Sequence, residues 1–159
     1  MYKIVLDTNV VVDYLMGREP ACSECKQLLL MHAACQHAVY VASLSLKDAY
    51  YLVSMQLKRM ERQASGRLDD GMANAANEVA WACVRSIVEN VLVLPVGRAE
   101  TLQAFTYKPV HRDFEDNLVV AAARSANADF VVTNDQSLLR HAPIACLSSA
   151  DMLAFLSEI

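Results

Sequence analysis

Short runs of aliphatic and β-branched residues alternate along the chain with longer stretches in which hydrophobic residues recur at helical spacing. Runs that are hydrophobic on both faces are typical of buried parallel strands, and their alternation with helices is typical of β-α-β units. The pattern therefore predicts an α/β fold with three layers (α/β/α), in which helices cover both faces of a parallel sheet. The five predicted strands are residues 3–6, 39–42, 91–96, 130–133 and 145–147.

Helical periodicity marks eight segments between and after these strands. The predicted helices are residues 10–16, 22–34, 47–64, 72–89, 99–105, 113–126, 136–141 and 150–156. The two longest are separated by the sequence SGRLDDG at 65–71, whose composition is typical of a turn. The sequence thus predicts a helical hairpin at about 47–89, within a single domain that spans residues 1–159.

Composition and charge narrow the class of protein. Hydrophobic residues make up 55% of the chain, which is typical of a globular protein and not of a disordered one. The net charge of −4 argues against a broad basic face that binds nucleic acid through phosphate neutralisation alone, but it is compatible with an acidic site for divalent metal. No hydrophobic run approaches the roughly 20 residues that cross a membrane. The odd number of cysteines and the lack of a signal segment predict a cytoplasmic protein.

Four aspartates lie where predicted strands and helices meet. Asp7 ends the first strand and Asp135 follows the fourth. Asp48 opens the helix after the second strand, and Asp116 lies in the first turn of the helix before the fourth strand. In an open parallel sheet, ligands bind beyond the carboxyl ends of the strands, where strand order reverses. Because Mg²⁺ and Mn²⁺ prefer carboxylate ligands, the pattern predicts a divalent metal site at that edge.

Each of these aspartates has a simpler explanation when it is taken alone. An aspartate at the start of a helix accepts hydrogen bonds from free backbone N–H groups, and strand-to-helix junctions favour it for that reason. The polar segments at 7–9, 113–116 and 133–135 all fall at the same predicted edge, however, and their combination favours a site. For Asp113 two interpretations stay open: it caps the helix that carries Asp116, or it is a fifth acid at the rim of the site.

The order and spacing of these motifs resemble the PIN-domain family over essentially the whole chain, from LDTN at 6–9 through DFEDNLVVAAA at 113–123 to VVTND at 131–135. The resemblance implies a PIN-like fold and a Mg²⁺- or Mn²⁺-dependent nuclease that hydrolyses phosphodiester bonds of single-stranded RNA. It further implies the toxin of a bacterial toxin–antitoxin pair, with a homodimer and an antitoxin protein as partner. The helical hairpin is the expected surface for the dimer or the antitoxin.

The resemblance also assigns roles to individual residues. The catalytic acids would be Asp7, Asp48, Asp116 and Asp135. The metal ligands among them, directly or through water, would be Asp7, Asp116 and Asp135. Asp48 stands where the family usually has Glu, and it would bind metal or orient the attacking water. The residues that support the ligands by hydrogen bonds would be Thr8, Asn9 and Thr133.

Two further groups of residues have chemical potential. Lys108, His111 and Arg112 precede the DFED segment, and they would either guide a phosphate toward the acidic site or remain solvated loop charges. The second group has zinc-like spacing and consists of Cys22, Cys25, His32, Cys35 and His37. Its segment is helical and mostly apolar, which favours buried cysteines on a helix face over a zinc site.

Two other functions stay open from the residues alone. The first is a non-catalytic binding or adaptor module with a vestigial acidic pocket, which is favoured by Asp48 in place of Glu and by Asn117 in place of the small apolar residue usual after the third acid. The second is a magnesium-dependent phosphatase-type hydrolase with an aspartyl nucleophile. That class would require an aspartate two residues after Asp7, where Asn9 stands.

Overall fold

The computed structural model describes residues 1–34 and 36–158 and contains a five-stranded sheet whose neighbouring strands all pair in parallel. The strands are β1 (Lys3–Leu6), β2 (Ala38–Ala42), β3 (Leu92–Leu94), β4 (Phe130–Val132) and β5 (Cys146–Leu147). The helices are α1 (Thr8–Leu15), α2 (Ala21–Ala33), α3 (Ser43–Ser65), α4 (Asp70–Asn90), α5 (Arg98–Tyr107), α6 (Phe114–Ser125), α7 (Gln136–His141) and α8 (Ser149–Ser157).

Helices cover both faces of this sheet, because alternate residues of each strand point to opposite sides. On β1, Ile4 and Leu6 pack into a core formed with α1, α2, α4 and α8, whereas Val5 packs against α6 on the opposite face. All three side chains are buried. The prediction of a three-layer α/β/α fold with five parallel strands is confirmed.

The order of the strands, β3-β2-β1-β4-β5, fixes where a site can form. From β1 the chain first builds outward through β2 to β3, and β4 then pairs with the other side of β1. Strand order therefore reverses between β1 and β4. A crevice beyond the carboxyl ends of two such strands is the usual ligand site of an open α/β sheet, and here it begins at Asp7 and Thr133.

The helical hairpin consists of α3 and α4. Helix α3 ends at Gly66, whose φ of +74° is the left-handed conformation that a glycine adopts without strain. Asp69 then starts α4 by accepting a hydrogen bond from the Met72 N–H at 2.8 Å. The two helices are joined across their interface by the Ser54 hydroxyl, which donates to Asn77 Oδ1 at 2.8 Å.

One predicted boundary is wrong in a way that affects the site. Helix α3 begins directly after β2, so Asp48 is the sixth residue of the helix and does not open it. The cause lies in residues 43–46, Ser-Leu-Ser-Leu, which contain neither Gly nor Pro and continue the helical turn. The strand at 91–96 is shorter than predicted, at Leu92–Leu94. Within the described residues, no helix has the length and hydrophobicity to cross a membrane.

Candidate metal centre

Asp7 is held at the reversal point of the sheet by the start of α1. It caps this helix, with Oδ1 accepting from the Thr8 N–H at 2.7 Å. Its other oxygen, Oδ2, accepts from Asn9 Nδ2 at 2.7 Å and from the Thr133 hydroxyl at 2.6 Å. The side chain is buried, at 1% exposure. The structure thus places Thr8, Asn9 and Thr133 around this carboxyl, where they fix its orientation.

Burial also changes the acidity of Asp7. It raises the pKa of this carboxyl from the usual 3.8 to about 6, although the hydrogen bond from Thr133 acts in the opposite direction. The negative charges of Asp116 and Asp135 add to the rise. Both carboxyls therefore lie close enough to Asp7 to repel its charge, and a cation in the crevice would relieve this repulsion.

Asp116, Asp135 and His111 form a compact group beside Asp7. One potential ligand atom from each lies within 4.8 Å of those of the other two. His111 Nε2 is 2.7 Å from Asp116 Oδ2, and His111 Nδ1 is 2.9 Å from Ser137 Oγ. Burial raises the pKa of Asp116, and the hydrogen bond from His111 opposes this effect. The two carboxylates suit Mg²⁺ and Mn²⁺, whereas the imidazole is a nitrogen donor that suits later transition metals better than Mg²⁺.

Asp135 and Asp113 both cap helices. Asp135 Oδ1 accepts from the N–H groups of Ser137 and Leu138, each at 2.8 Å, at the start of α7. Asp113 Oδ1 accepts from the N–H groups of Glu115 and Asp116 at the start of α6. Capping does not remove Asp135 from the acidic group, because its carboxyl belongs to the group within 4.8 Å as well. Asp113 belongs to no such group among the described residues.

The interpretation of His111 as a solvated loop charge is wrong. It is buried, at 8% exposure, and its backbone carbonyl accepts a hydrogen bond from Asn117 Nδ2 at 2.8 Å. Asn117 is itself buried, so this amide holds the loop that carries His111 against α6. Its imidazole contacts an acid of the site directly.

Asp48 lies close to a second carboxyl group, that of Glu115. It forms a salt bridge of 2.8 Å with Lys47, and its carboxyl lies close enough to Glu115 of α6 to affect the acidity of that residue. Burial and the Asp48 carboxyl raise the pKa of Glu115 to about 7. Sequence analysis did not identify Glu115 as a site residue. The DFED segment does contain a clue, because its three acids lie within one helical turn. One acid is enough to cap the helix, and the helix dipole does not require two more.

The sequence also matches a known protein family. A family profile described as PIN domain matches residues 3–137. The chain belongs to the PIN domain family. The resemblance found from LDTN, DFED and VVTND is therefore confirmed. A comparison with curated proteins gives no match.

Several solved structures share the PIN fold of this chain at low sequence identity. VapBC2 from Rickettsia felis, bound to a DNA fragment from their promoter, is 14% identical with a TM-score of 0.61, covering 92% of this chain and 98% of that one. VapC20 from Mycobacterium tuberculosis, a sarcin-ricin loop cleaving toxin, is 15% identical with a TM-score of 0.57, over 83% and 89%. VapBC-1 from nontypeable Haemophilus influenzae is 14% identical with a TM-score of 0.59, over 93% and 98%.

The zinc-like spacing of the PIN chain has a structural explanation. Cys25 is buried in the core, and burial raises the pKa of its thiol to about 12, which opposes the thiolate that zinc requires. His32 Nδ1 lies 3.1 Å from the His37 carbonyl oxygen and accepts from the Val39 N–H at 3.2 Å. Cys22 contacts the Tyr14 carbonyl, and Cys35 lies outside the described residues. The His32 contacts stabilise the end of α2 and the start of β2, and the Cys22 contact joins the start of α2 to α1.

Proposed function

We propose that this PIN-domain chain is a Mg²⁺- or Mn²⁺-dependent endoribonuclease that hydrolyses phosphodiester bonds of single-stranded RNA. The observation that carries the proposal is the crevice at the strand reversal, where acids from three parts of the chain converge. Asp7 comes from the end of β1, Asp116 from α6 and Asp135 from the segment after β4. The mutual repulsion of these acids supports a bound cation at this place.

In the proposed mechanism Asp7, Asp116 and Asp135 hold the metal, directly or through water. When bound, the metal polarises the phosphate, activates water and offsets the charge on the leaving oxygen. The protein fixes the ligands in advance: Asn9 and Thr133 orient Asp7, and His111 orients Asp116. His111 is placed either to keep Asp116 in position or to serve as a nitrogen ligand.

The contact between Asp48 and Glu115 suggests that the second acidic position of the family is shared by two residues here. Asp48 is one methylene shorter than the usual Glu, and Glu115 approaches it from α6. We infer that the pair together orients the attacking water or a ligand water. This would preserve the role that a single longer side chain has in the family.

Removal of metal tests the main proposal. Purified protein should cleave a labelled single-stranded RNA with Mn²⁺ or Mg²⁺, and excess EDTA should stop cleavage because metal-activated water is the proposed nucleophile. Addition of excess Mn²⁺ to the EDTA sample should restore the activity. Cleavage that continues unchanged in EDTA would contradict the mechanism, and a chain inactive with either metal under all conditions would favour the adaptor function.

The carboxyl pair has its own prediction. Asp48→Asn and Glu115→Gln should each lower the cleavage rate by roughly 10- to 100-fold, the usual effect of losing a group that supports a metal site. The double variant should cleave only slightly more slowly than the slower of the two single variants, because the effects of residues that act as one unit do not add. Glu78→Gln, at an exposed glutamate of α4, is the matched control and should keep the parent rate. If both single variants cleave RNA at the parent rate, the carboxyl pair has no role in cleavage.

Two alternatives to the nuclease function have different support. A phosphatase-type hydrolase would require a second aspartate two residues after Asp7, whereas Asn9 occupies that position and donates a hydrogen bond to Asp7. The adaptor function is favoured by Asp48 and Asn117, and Glu115 offsets the first of these departures because it approaches Asp48 from α6.

A protein partner is part of the proposal. The solved VapBC2 and VapBC-1 structures support an antitoxin partner for this chain, and we infer a homodimer from the family resemblance. The α3–α4 hairpin has the exposed apolar side chains that such contacts require, including Tyr51, Met55 and Trp81, each more than 60% exposed. Mass measurement of the purified chain by light scattering tests the homodimer, which a monomeric mass at micromolar concentration would contradict.

A further inference from the structure

The loop between α5 and α6, residues 108–113, lies beside a cleft with an unusual lining. Two clefts of about 650 and 240 Å³ adjoin here, and they share Phe105, Lys108 and Arg112. The smaller one is completed by Ala104, Phe114 and Asn117. The cleft thus combines two aromatic rings with two cationic side chains.

The two phenylalanines form an exposed pair. Their ring centroids are 5.5 Å apart with an interplanar angle of 30°, yet Phe105 is 59% exposed and Phe114 is 47% exposed. An aromatic pair usually gains its stability from burial, so a pair left open to solvent at the mouth of a cleft contributes little to the core. Exposed aromatic rings of this kind are where unpaired nucleobases stack in proteins that bind single strands.

Lys108 and Arg112 supply the charge that a nucleic-acid backbone requires. Both are exposed, and within residues 1–34 and 36–158 neither takes part in a salt bridge. A phosphate is attracted to such cations, and Arg can bind two of its oxygens at once. The lining therefore matches a nucleotide on two counts, the base and the phosphate, whereas a purely apolar partner would not use the cations.

The cleft also adjoins the acidic crevice. Asn117 lines the cleft, and its amide donates to the backbone carbonyl of His111, whose imidazole contacts Asp116. Arg112 follows His111 directly in the chain. A strand held by its base at Phe105 and Phe114 would therefore lie beside the segment that carries His111 and Asp116.

We propose that Phe105, Phe114, Lys108 and Arg112 form a subsite that binds one unpaired nucleotide of a single-stranded RNA, the base on the phenylalanines and its phosphate on the two cations. This inference rests on the proposed function, because it places the RNA next to the acids that would cut it. The volume of the smaller cleft is below the roughly 300–1,000 Å³ of sites for drug-sized ligands, which is consistent with a single base.

Binding in EDTA tests the subsite independently of cleavage, since metal-dependent hydrolysis is stopped. Fluorescence anisotropy would compare a labelled single-stranded RNA of mixed sequence with an abasic strand of equal length, which has the same phosphates and no bases. Phe105→Leu and Phe114→Leu keep an apolar side chain and remove the ring. Each should weaken RNA binding by about fivefold to hundredfold, as loss of a stacking contact does, and leave the abasic strand unaffected. Phe105→Tyr and Phe114→Tyr, which keep an aromatic ring, should bind the RNA with the parent affinity.

The cations should behave differently from the rings. Lys108→Gln and Arg112→Gln should weaken binding of both strands and lower the salt dependence of binding by roughly one ion each. Lys26→Gln, at an exposed lysine of α2, is the control and should leave RNA affinity and its salt dependence unchanged.

The outcomes separate the subsite from the nuclease function. RNA affinity that is insensitive to both Leu variants overturns the subsite, even if the protein cleaves RNA with Mn²⁺. This is also the result expected if the cleft binds a protein segment. Equal losses for the RNA and the abasic strand overturn base stacking as well. Selective loss with RNA supports the subsite, even if cleavage is never observed.

Discussion

Asp116→Asn is expected to lower metal-dependent RNA cleavage by at least about a hundredfold, more than the roughly 10- to 100-fold that loss of a supporting residue costs a metal site. Asp116 contacts His111, and one of its potential ligand atoms lies within 4.8 Å of one from Asp135. Asparagine has nearly the same shape and can still accept the hydrogen bond from His111 Nε2, so the local structure should survive. What is lost is the negative charge that a divalent metal requires.

A matched substitution elsewhere separates this effect from a general effect of removing an aspartate. Asp69 also lies at the start of a helix, where it caps α4 through the Met72 N–H. Asn is as good a cap as Asp, so Asp69→Asn should keep both the fold and the cleavage rate. Cleavage of labelled single-stranded RNA in Mn²⁺, with circular dichroism on the same samples, gives the comparison. Full activity of a folded Asp116→Asn variant would remove Asp116 from the proposed metal site.

The parallel sheet was predictable because its strands are short, doubly buried and separated by clear helical patterns. Ile4, Val5 and Leu6 illustrate this, since each is apolar and their alternation between two faces requires helices on both sides. The edges of elements were less predictable. Residues 43–46 have no helix-breaking residue, and only the packing of α3 after β2 decides where that helix begins.

The acids of the candidate site differ in how far the sequence could place them. Asp7 and Asp135 follow strands directly, and the parallel topology alone brings their ends to one edge. Glu115 and His111 depend on side-chain directions that sequence spacing does not give. Glu115 meets Asp48 across two helices, and His111 is turned inward by Asn117. Such contacts between distant segments become visible only when the segments are packed.

The second large effect concerns the pH dependence of stability, and it originates at Asp7. Because burial raises the pKa of this carboxyl to about 6 in the folded protein, it is protonated there at pH values where it is ionised in the unfolded chain. Asp116 and Asp135 are the acids that face it and increase the shift. Between about pH 4 and pH 6 the folded state therefore binds more protons than the unfolded state, and stability must fall as pH rises.

Without metal, the parent protein should lose stability on the order of 3 kcal/mol through Asp7 as the pH rises from about 4 to above 6, since one pKa unit corresponds to about 1.36 kcal/mol. Asp7→Asn cannot ionise, so its decline over this range should be smaller by that amount. At pH 4, where the Asp7 carboxyl of the folded parent is protonated, the stability of the variant should be equal or lower, because an amide nitrogen cannot accept a hydrogen bond as a carboxyl oxygen does.

Denaturant unfolding in EDTA at several pH values, for the parent and Asp7→Asn, measures the difference directly. Carboxyls far from Asp7 titrate equally in both proteins and cancel in the comparison, whereas Asp116 and Asp135 lose the repulsion from Asp7 in the variant and contribute part of the difference. Millimolar Mn²⁺ should then flatten the decline of the parent, because a metal that binds ionised ligands stabilises the folded state by mass action and does so more strongly as pH rises. The variant, which lacks one ligand, should gain less from Mn²⁺. If the stabilities of the parent and the variant change in parallel with pH in EDTA, the pKa of Asp7 is not raised in the folded protein. If Mn²⁺ stabilises both proteins equally, the metal does not bind at Asp7.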